Sequence, residues 1–201
     1  MTEIASKQHL TVDDYLAVED GSDMRHEHIG GEVYALTGAS DRHGLITLNI
    51  ASCLRPLLRG INCQIFANDM KVRLSISRQD IFYYPDLLVS CDPADRETYY
   101  RSKPGLIIEV LSESTERIDR RGKLFAYQTI PSLQEYLLVS QDQRELQIHR
   151  RADGWAPECI TEDSVQLNCL SFDLPLDIAY EDVLEGCEPR GIPQIMTPPS
   201  F

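Results

Sequence analysis

The stretch Leu106-Ile107-Ile108-Glu109-Val110-Leu111 restricts the fold more than any other part of the chain. A continuous aliphatic run of this length fits a strand covered on both faces, in the interior of a sheet. It also places one carboxylate among five apolar neighbours. A shorter run, Leu87-Leu88-Val89, is headed by Asp86, which follows Pro85. An ionised carboxylate in such surroundings is strongly unfavourable unless it is paired or bound to a metal. Either acid alone reads most simply as a strand-end acid bridged to an arginine. Both together, on neighbouring central strands, point to a shared cation. A hard ion such as Mg²⁺ takes few carboxylates and keeps several waters, so two acids and a backbone carbonyl suffice to hold it.

The remaining pattern predicts a mixed α/β sheet flanked by helices. Thr11-Val12-Asp13-Asp14 carries the hydroxyl and acid spacing of a helix entry, with Tyr15, Leu16 and Val18 on the face to be buried. His26-Glu27-His28-Ile29, Gly30-Gly31 and Glu32-Val33-Tyr34-Ala35-Leu36 read as a hairpin, because the glycines supply the positive φ of a tight turn. Asp41 to Arg59 repeats apolar residues at helical spacing, interrupted late by Pro56. Cys63–Phe66 and Met70–Leu74 alternate like half-buried strands, and Tyr136–Val139 and Glu145–His149 extend the sheet into a Gly154-Trp155 hairpin. Ile118–Gln128 is expected as one crossover helix with Ile118, Leu124, Phe125 and Ala126 inward, stopped before Pro131. Residues 1–184 are expected to form a single domain, and the Pro-rich segment 185–201 an irregular tail.

On that crossover helix Asp119, Lys123 and Tyr127 fall at i, i+4 and i+8, immediately after the strand of Glu109. Lysine is scarce, at four residues (Lys7, Lys71, Lys103, Lys123) against 15 arginines. A lysine ammonium, unlike a guanidinium, shifts its pKa readily and acts as a compact charge beside water or phosphate. An ordinary Asp119–Lys123 pair, worth about 0.3 kcal/mol, accounts for the spacing equally well.

Charge argues against strong non-specific nucleic-acid affinity: 19 Lys+Arg against 32 Asp+Glu give −13. Residues 152–201 alone carry −9, so the segment bearing the two acids is far less negative. No apolar run approaches the ~20 residues of a membrane helix and no leader-like segment opens the chain, which leads to the expectation of a cytoplasmic protein away from membranes. The six cysteines have no CxxC spacing, so they are expected as free, mostly buried thiols, with no zinc site.

Pro85-Asp86, then Ile108-Glu109-Val110-Leu111-Ser112-Glu113-Ser114-Thr115, then Asp119…Lys123…Tyr127, then Glu135-Tyr136-Leu137-Leu138-Val139 resemble the Uma-type restriction endonuclease family of the PD-(D/E)XK nuclease superfamily. The resemblance runs from about Val12 to Gly154. It includes Glu27-His28-Ile29-Gly30-Gly31-Glu32, similar to the family's Glu-Leu-Ile-Asp-Gly-Glu, and Ser40-Asp41-Arg42-His43, similar to its Pro-Arg-His helix entry. Gly30 stands where the family has Asp, Leu137 where it has Trp, and Ser140 where it has Asp.

The resemblance implies a restriction-endonuclease-like core in which Asp86, Glu109 and the Val110 carbonyl hold Mg²⁺, with Mn²⁺ as a substitute. Leu111 occupies the usual place of the superfamily lysine, so Lys123 from the following helix is its counterpart, and Glu27 is an additional N-terminal acid. Asp119 would then orient Lys123. The implied chemistry is attack of a metal-activated water on a DNA phosphodiester, and duplex-cutting relatives of this kind imply a homodimer. Glu32 and Asp69 read as structural acids, and His43 as a helix-start or packing histidine. Two alternatives stay open from the residues: an inactive nuclease-fold interaction module, and a hydrolase of a smaller phosphate ester.

Overall fold

The computed structural model describes residues 10–36, 38–112 and 118–184, with the backbone alone for 118–120. In chain order the elements are α1 (Val12–Asp20), β1 (His26–Ile29), β2 (Glu32–Ala35), α2 (Asp41–Leu57), β3 (Gln64–Ala67), β4 (Lys71–Ile76), β5 (Gln79–Tyr83), β6 (Leu87–Ser90), β7 (Tyr100–Arg101) and β8 (Pro104–Leu111). A π-helical turn, Ile118–Lys123, leads into α3 (Leu124–Tyr127), β9 (Glu135–Ser140), β10 (Leu146–Arg150), β11 (Pro157–Ile160), β12 (Ser164–Leu167), β13 (Phe172–Pro175) and α4 (Leu176–Ala179). The mixed α/β class holds.

The two apolar runs are neighbours in a six-stranded sheet of order β11-β10-β9-β8-β6-β3. β6 pairs antiparallel with β8 through Leu87↔Ile108, and β8 runs parallel to β9 through Ile108↔Leu137. Side chains alternate across a strand, which divides the core in two. Leu106, Ile108, Val110, Leu87 and Val89 face α2 and α4 together with the β12–β13 pair. Ile107, Leu111, Leu88, Tyr136 and Leu138 face the other way, toward α3 and the second sheet. That sheet, of order β2-β1-β5-β4-β7, contains the predicted hairpin, with Gly30 at φ +58° and Gly31 at φ +94°. A side chain at Gly30 would meet the Gln79 amide at 3.1 Å, so both conformation and space favour glycine there.

Several local expectations are corrected. β5 alternates poorly and follows a turn, Ser77-Arg78, with both residues at positive φ and neither a glycine, so turn composition gave no signal for it. In α1 the buried residues are Tyr15 and Glu19, whereas Val18 is 59% exposed. Glu19 turns inward because the Tyr84 hydroxyl and the His26 N–H both donate to it. In α2 the buried stripe is Ile46, Thr47, Ile50 and Leu54, leaving Leu45, Leu48 and Leu57 exposed. Pro56 lies in the last turn of α2, with only Leu57 after it, so the helix ends almost at once after the hydrogen bond it removes.

Phe125 is 72% exposed rather than inward. The wide π turn before α3 changes the angular phase of the helix relative to a regular α-helix, and Ala126 and Tyr127 take the buried places. Phe125→Ser is therefore expected to alter unfolding free energy by less than about 0.5 kcal/mol in urea denaturation.

The cysteines are corrected as well. Cys63 and Cys91 stand opposite each other where β3 and β6 pair antiparallel, with Cα atoms 4.0 Å apart, and form a disulfide. Cys53 and Cys169 are half-buried free thiols and Cys159 is exposed. The bridge closes a loop across 28 positions. Breaking it, by reductant or by Cys63→Ser, is expected to lower stability by about 3–4 kcal/mol. The Cys63→Ser protein should then respond no further to reductant in thermal melts.

Among the described residues no helix is long and apolar enough to cross a membrane. The expected irregular tail, 185–201, lies outside the described residues.

Candidate metal-binding and active site

Alternation along the central strands decides which way the two acids point. Asp86 shares the parity of Leu88, and Glu109 that of Ile107 and Leu111, so both belong to the face covered by α3 and the second sheet. The β6 ladder ends at Leu87, leaving the Val110 N–H without a strand carbonyl on that side. The Asp86 carboxylate takes it, Oδ2 accepting at 2.7 Å. A strand residue directs its N–H and C=O toward the same side, so the Val110 carbonyl emerges on the side of Asp86. The same Asp86 oxygen lies 3.2 Å from His43 Nε2. His43 sits in the first turn of α2, where its N–H is capped by Ser40 Oγ.

Glu109 is 3% exposed, and its Oε1 accepts from Lys123 Nζ at 3.2 Å and from the Tyr127 hydroxyl at 3.0 Å. Lys123 Nζ lies 3.1 Å from Glu27 Oε1, which also accepts the Tyr84 N–H at 3.3 Å. One buried ammonium thus bridges a carboxylate from the hairpin and a carboxylate from the central strand, with the Tyr83 ring 5.5 Å away. Burial, then the charge of Glu109, pushes the Tyr127 phenol well above its ordinary pKa, so it keeps its proton and remains a donor. Burial, followed by the charge of Glu27, raises Tyr83 in the same way. Lys123 thus meets two of the three carboxylates, and His43 meets the third, Asp86.

Asp86, Glu109, Val110, Lys123 and His43 all line one cavity of about 170 Å³, together with Arg25, Ser40, Asn68 and Gln141. Glu27 reaches it through Lys123. Among the described residues no group of three or more His, Cys, Asp or Glu side chains is arranged to enclose a metal ion. The donors on offer are two carboxylates and a carbonyl, all hard oxygens, a set that suits an ion retaining much of its water.

All five residues expected at the site on sequence grounds are therefore associated: Asp86, Glu109, Val110, Lys123 and Glu27. The Asp119 side chain lies outside the described residues, and Lys123 is oriented by the two glutamates. Asp69 is 86% exposed, paired at 3.6 Å with Arg25, and Glu32 accepts from Tyr34 in the hairpin, so neither belongs to the carboxylate cluster. His43 is more than a packing residue, since it touches Asp86. Sequence reasoning missed Arg25 and the Tyr84 N–H. Arg25, two residues before Glu27 on an extended segment, was open to detection through strand parity.

The chain is similar to several known proteins. An uncharacterized protein of Synechocystis sp. (strain ATCC 27184 / PCC 6803 / Kazusa), slr1290, is 34% identical over 175 residues, covering 85% of this chain and 91% of its own. A second from the same organism, sll1609, is 35% identical over 144 residues, covering 70% and 80%. In structure the chain is similar to "a putative nuclease belonging to DUF820" from Anabaena variabilis ATCC 29413, with a TM-score of 0.71 at 15% identity over 87% of this chain and 99% of that one. That likeness supports the nuclease-like fold. The profile of the Uma2 family, described as "Putative restriction endonuclease", matches residues 12–179 and thus spans the hairpin, both acid-bearing strands and the lysine helix. The chain belongs to the Uma2 restriction-endonuclease family.

Proposed function

We propose that the protein is a Mg²⁺-dependent endonuclease that hydrolyses DNA phosphodiester bonds. The observation that carries this reading is the opening of Asp86 and Glu109 into one cavity, with Lys123 held between Glu109 and Glu27. The oxygen-only donor set fits Mg²⁺, which Asp86, Glu109 and the Val110 carbonyl would hold. Bound there, the ion supplies a water of lowered pKa and neutralises charge on the phosphoryl and leaving oxygens.

The chain's own groups do the rest. Val110 N–H and His43 fix the Asp86 carboxylate from two sides, so it need not reorganise when charge develops nearby. Tyr127 and Lys123 do the same for Glu109. The Lys123 ammonium, placed beside the carboxylates by the π turn, orients the attacking water and offsets negative charge on the phosphate. Glu27 holds that ammonium beside the cavity from the hairpin side.

Incubation of plasmid with purified protein in Mg²⁺ or Mn²⁺ tests this. Nicking should stop in EDTA and in Asp86→Ala. Undiminished cleavage by Asp86→Ala would overturn the site. Hydrolysis of a small aryl phosphodiester without cleavage of any nucleic acid would favour the smaller-ester reading.

A further inference from the structure

The hairpin β1–β2 carries more toward the cavity than Glu27. Its register is Glu27↔Tyr34, and the Leu36 N–H bonds the Arg25 carbonyl, so Arg25 and Glu27 share one face with Tyr34 and Leu36. Arg25 and Leu36 line the cavity. Tyr34, next along the same face and directly across from Glu27, is 48% exposed. The other face of the hairpin is occupied differently, His28 stacking with Tyr15 under α1.

The cations of this cavity are not equivalent. Lys123 is engaged by two buried carboxylates, whereas the Arg25 side chain is 42% exposed. Its guanidinium donates to the Asn68 carbonyl at 3.0 Å and faces Asp69 at 3.6 Å, an acid itself 86% exposed. A solvated pair of that kind contributes little and exchanges readily for a phosphate oxygen, and a guanidinium fork suits two such oxygens. Arg25 and Tyr34 are diagonal cross-strand neighbours, about 7–8 Å apart, the scale of one nucleotide step.

We infer that this hairpin face binds single-stranded nucleic acid, Arg25 taking the phosphate next to the reacting one and Tyr34 stacking on the base between them. In a duplex the base faces are already stacked on their neighbours, so an aromatic ring beside the scissile phosphate has no face to cover. In a single strand every base offers one. A contact of one arginine and one ring also suits a chain of net charge −13, since it draws on few phosphates. The inference rests on the nuclease reading for the identity of the reacting phosphate. It is tested by binding, so that the two stand or fall separately.

The experiment is fluorescence anisotropy in EDTA with a fluorescein-labelled oligodeoxythymidylate, alone and annealed to its complement, each variant first checked by thermal melt. Wild type should bind the single strand more tightly than the duplex. Tyr34→Ala should weaken single-strand binding roughly tenfold, while Tyr34→Phe, which keeps the ring, stays within about twofold. Arg25→Gln should weaken it roughly tenfold and reduce the slope of log affinity against log salt by about 0.7. Equal or tighter duplex binding, equal affinities of the Ala and Phe variants, or an unchanged salt slope in Arg25→Gln would each overturn the inference. Single-strand binding with this pattern but no cleavage under any metal would overturn the nuclease reading and leave the binding face standing.

Discussion

Glu109→Gln is expected to reduce metal-dependent cleavage by about a thousandfold or more while leaving the fold intact. Glutamine keeps the shape of the side chain and an oxygen that accepts from Lys123 and Tyr127, the two donors that Glu109 serves in the buried interior. What it removes is the negative charge that would hold the divalent ion. The measurement pairs initial rates of plasmid nicking with Mn²⁺ titration by calorimetry and a thermal melt. Loss of rate and metal affinity with an unchanged melt assigns Glu109 to the metal. Wild-type nicking by the glutamine variant would remove it from the site. Alanine at this position is a poorer probe, because it leaves the buried Tyr127 hydroxyl without its acceptor.

Lys123→Met is expected to cost about 3–5 kcal/mol of stability in addition to abolishing cleavage. The lysine is 6% exposed and bridges Glu27 and Glu109, each itself buried. Methionine fills the space but leaves two carboxylates in a low-dielectric pocket without their shared cation. For a domain of this size the change corresponds to a fall in Tm of roughly 6–20 °C. A second substitution separates the causes. In Lys123→Met combined with Glu27→Gln one of the two stranded charges is gone, so much of the stability should return while cleavage does not. Urea denaturation of the four proteins of this double-mutant cycle gives the coupling directly. A loss under 1 kcal/mol in the single variant would mean that the bridge is solvated and that Lys123 is not the organising charge of the site.

The legible part of this site came from two kinds of pattern. Aliphatic runs interrupted by a single acid identify Asp86 and Glu109, because burying a charge is unfavourable enough to need a reason. Paired glycines identify the hairpin, because few other residues adopt positive φ without strain. What stayed illegible depends on helical phase or long-range register. Lys123 meets two glutamates that no helical spacing relates to it, one 96 positions earlier in the chain and the other 14, and its own segment begins as a π turn. The same change of phase exposes Phe125. Cys63 and Cys91, unremarkable in spacing, are opposed only once β3 and β6 are paired.

The sequence by itself determined the central strands, their two carboxylates, the tight turn and the family to which the chain belongs, since each is written in residues close together along the chain. Only the tertiary structure decided that Lys123 serves Glu27 and Glu109 together, that His43 rests on Asp86, and that Arg25 stands at the mouth of the same cavity. The physical reason is common to all three. Hydrophobic periodicity specifies which face of an element is buried, whereas the partner a polar group finds there is set by elements brought together from distant parts of the chain.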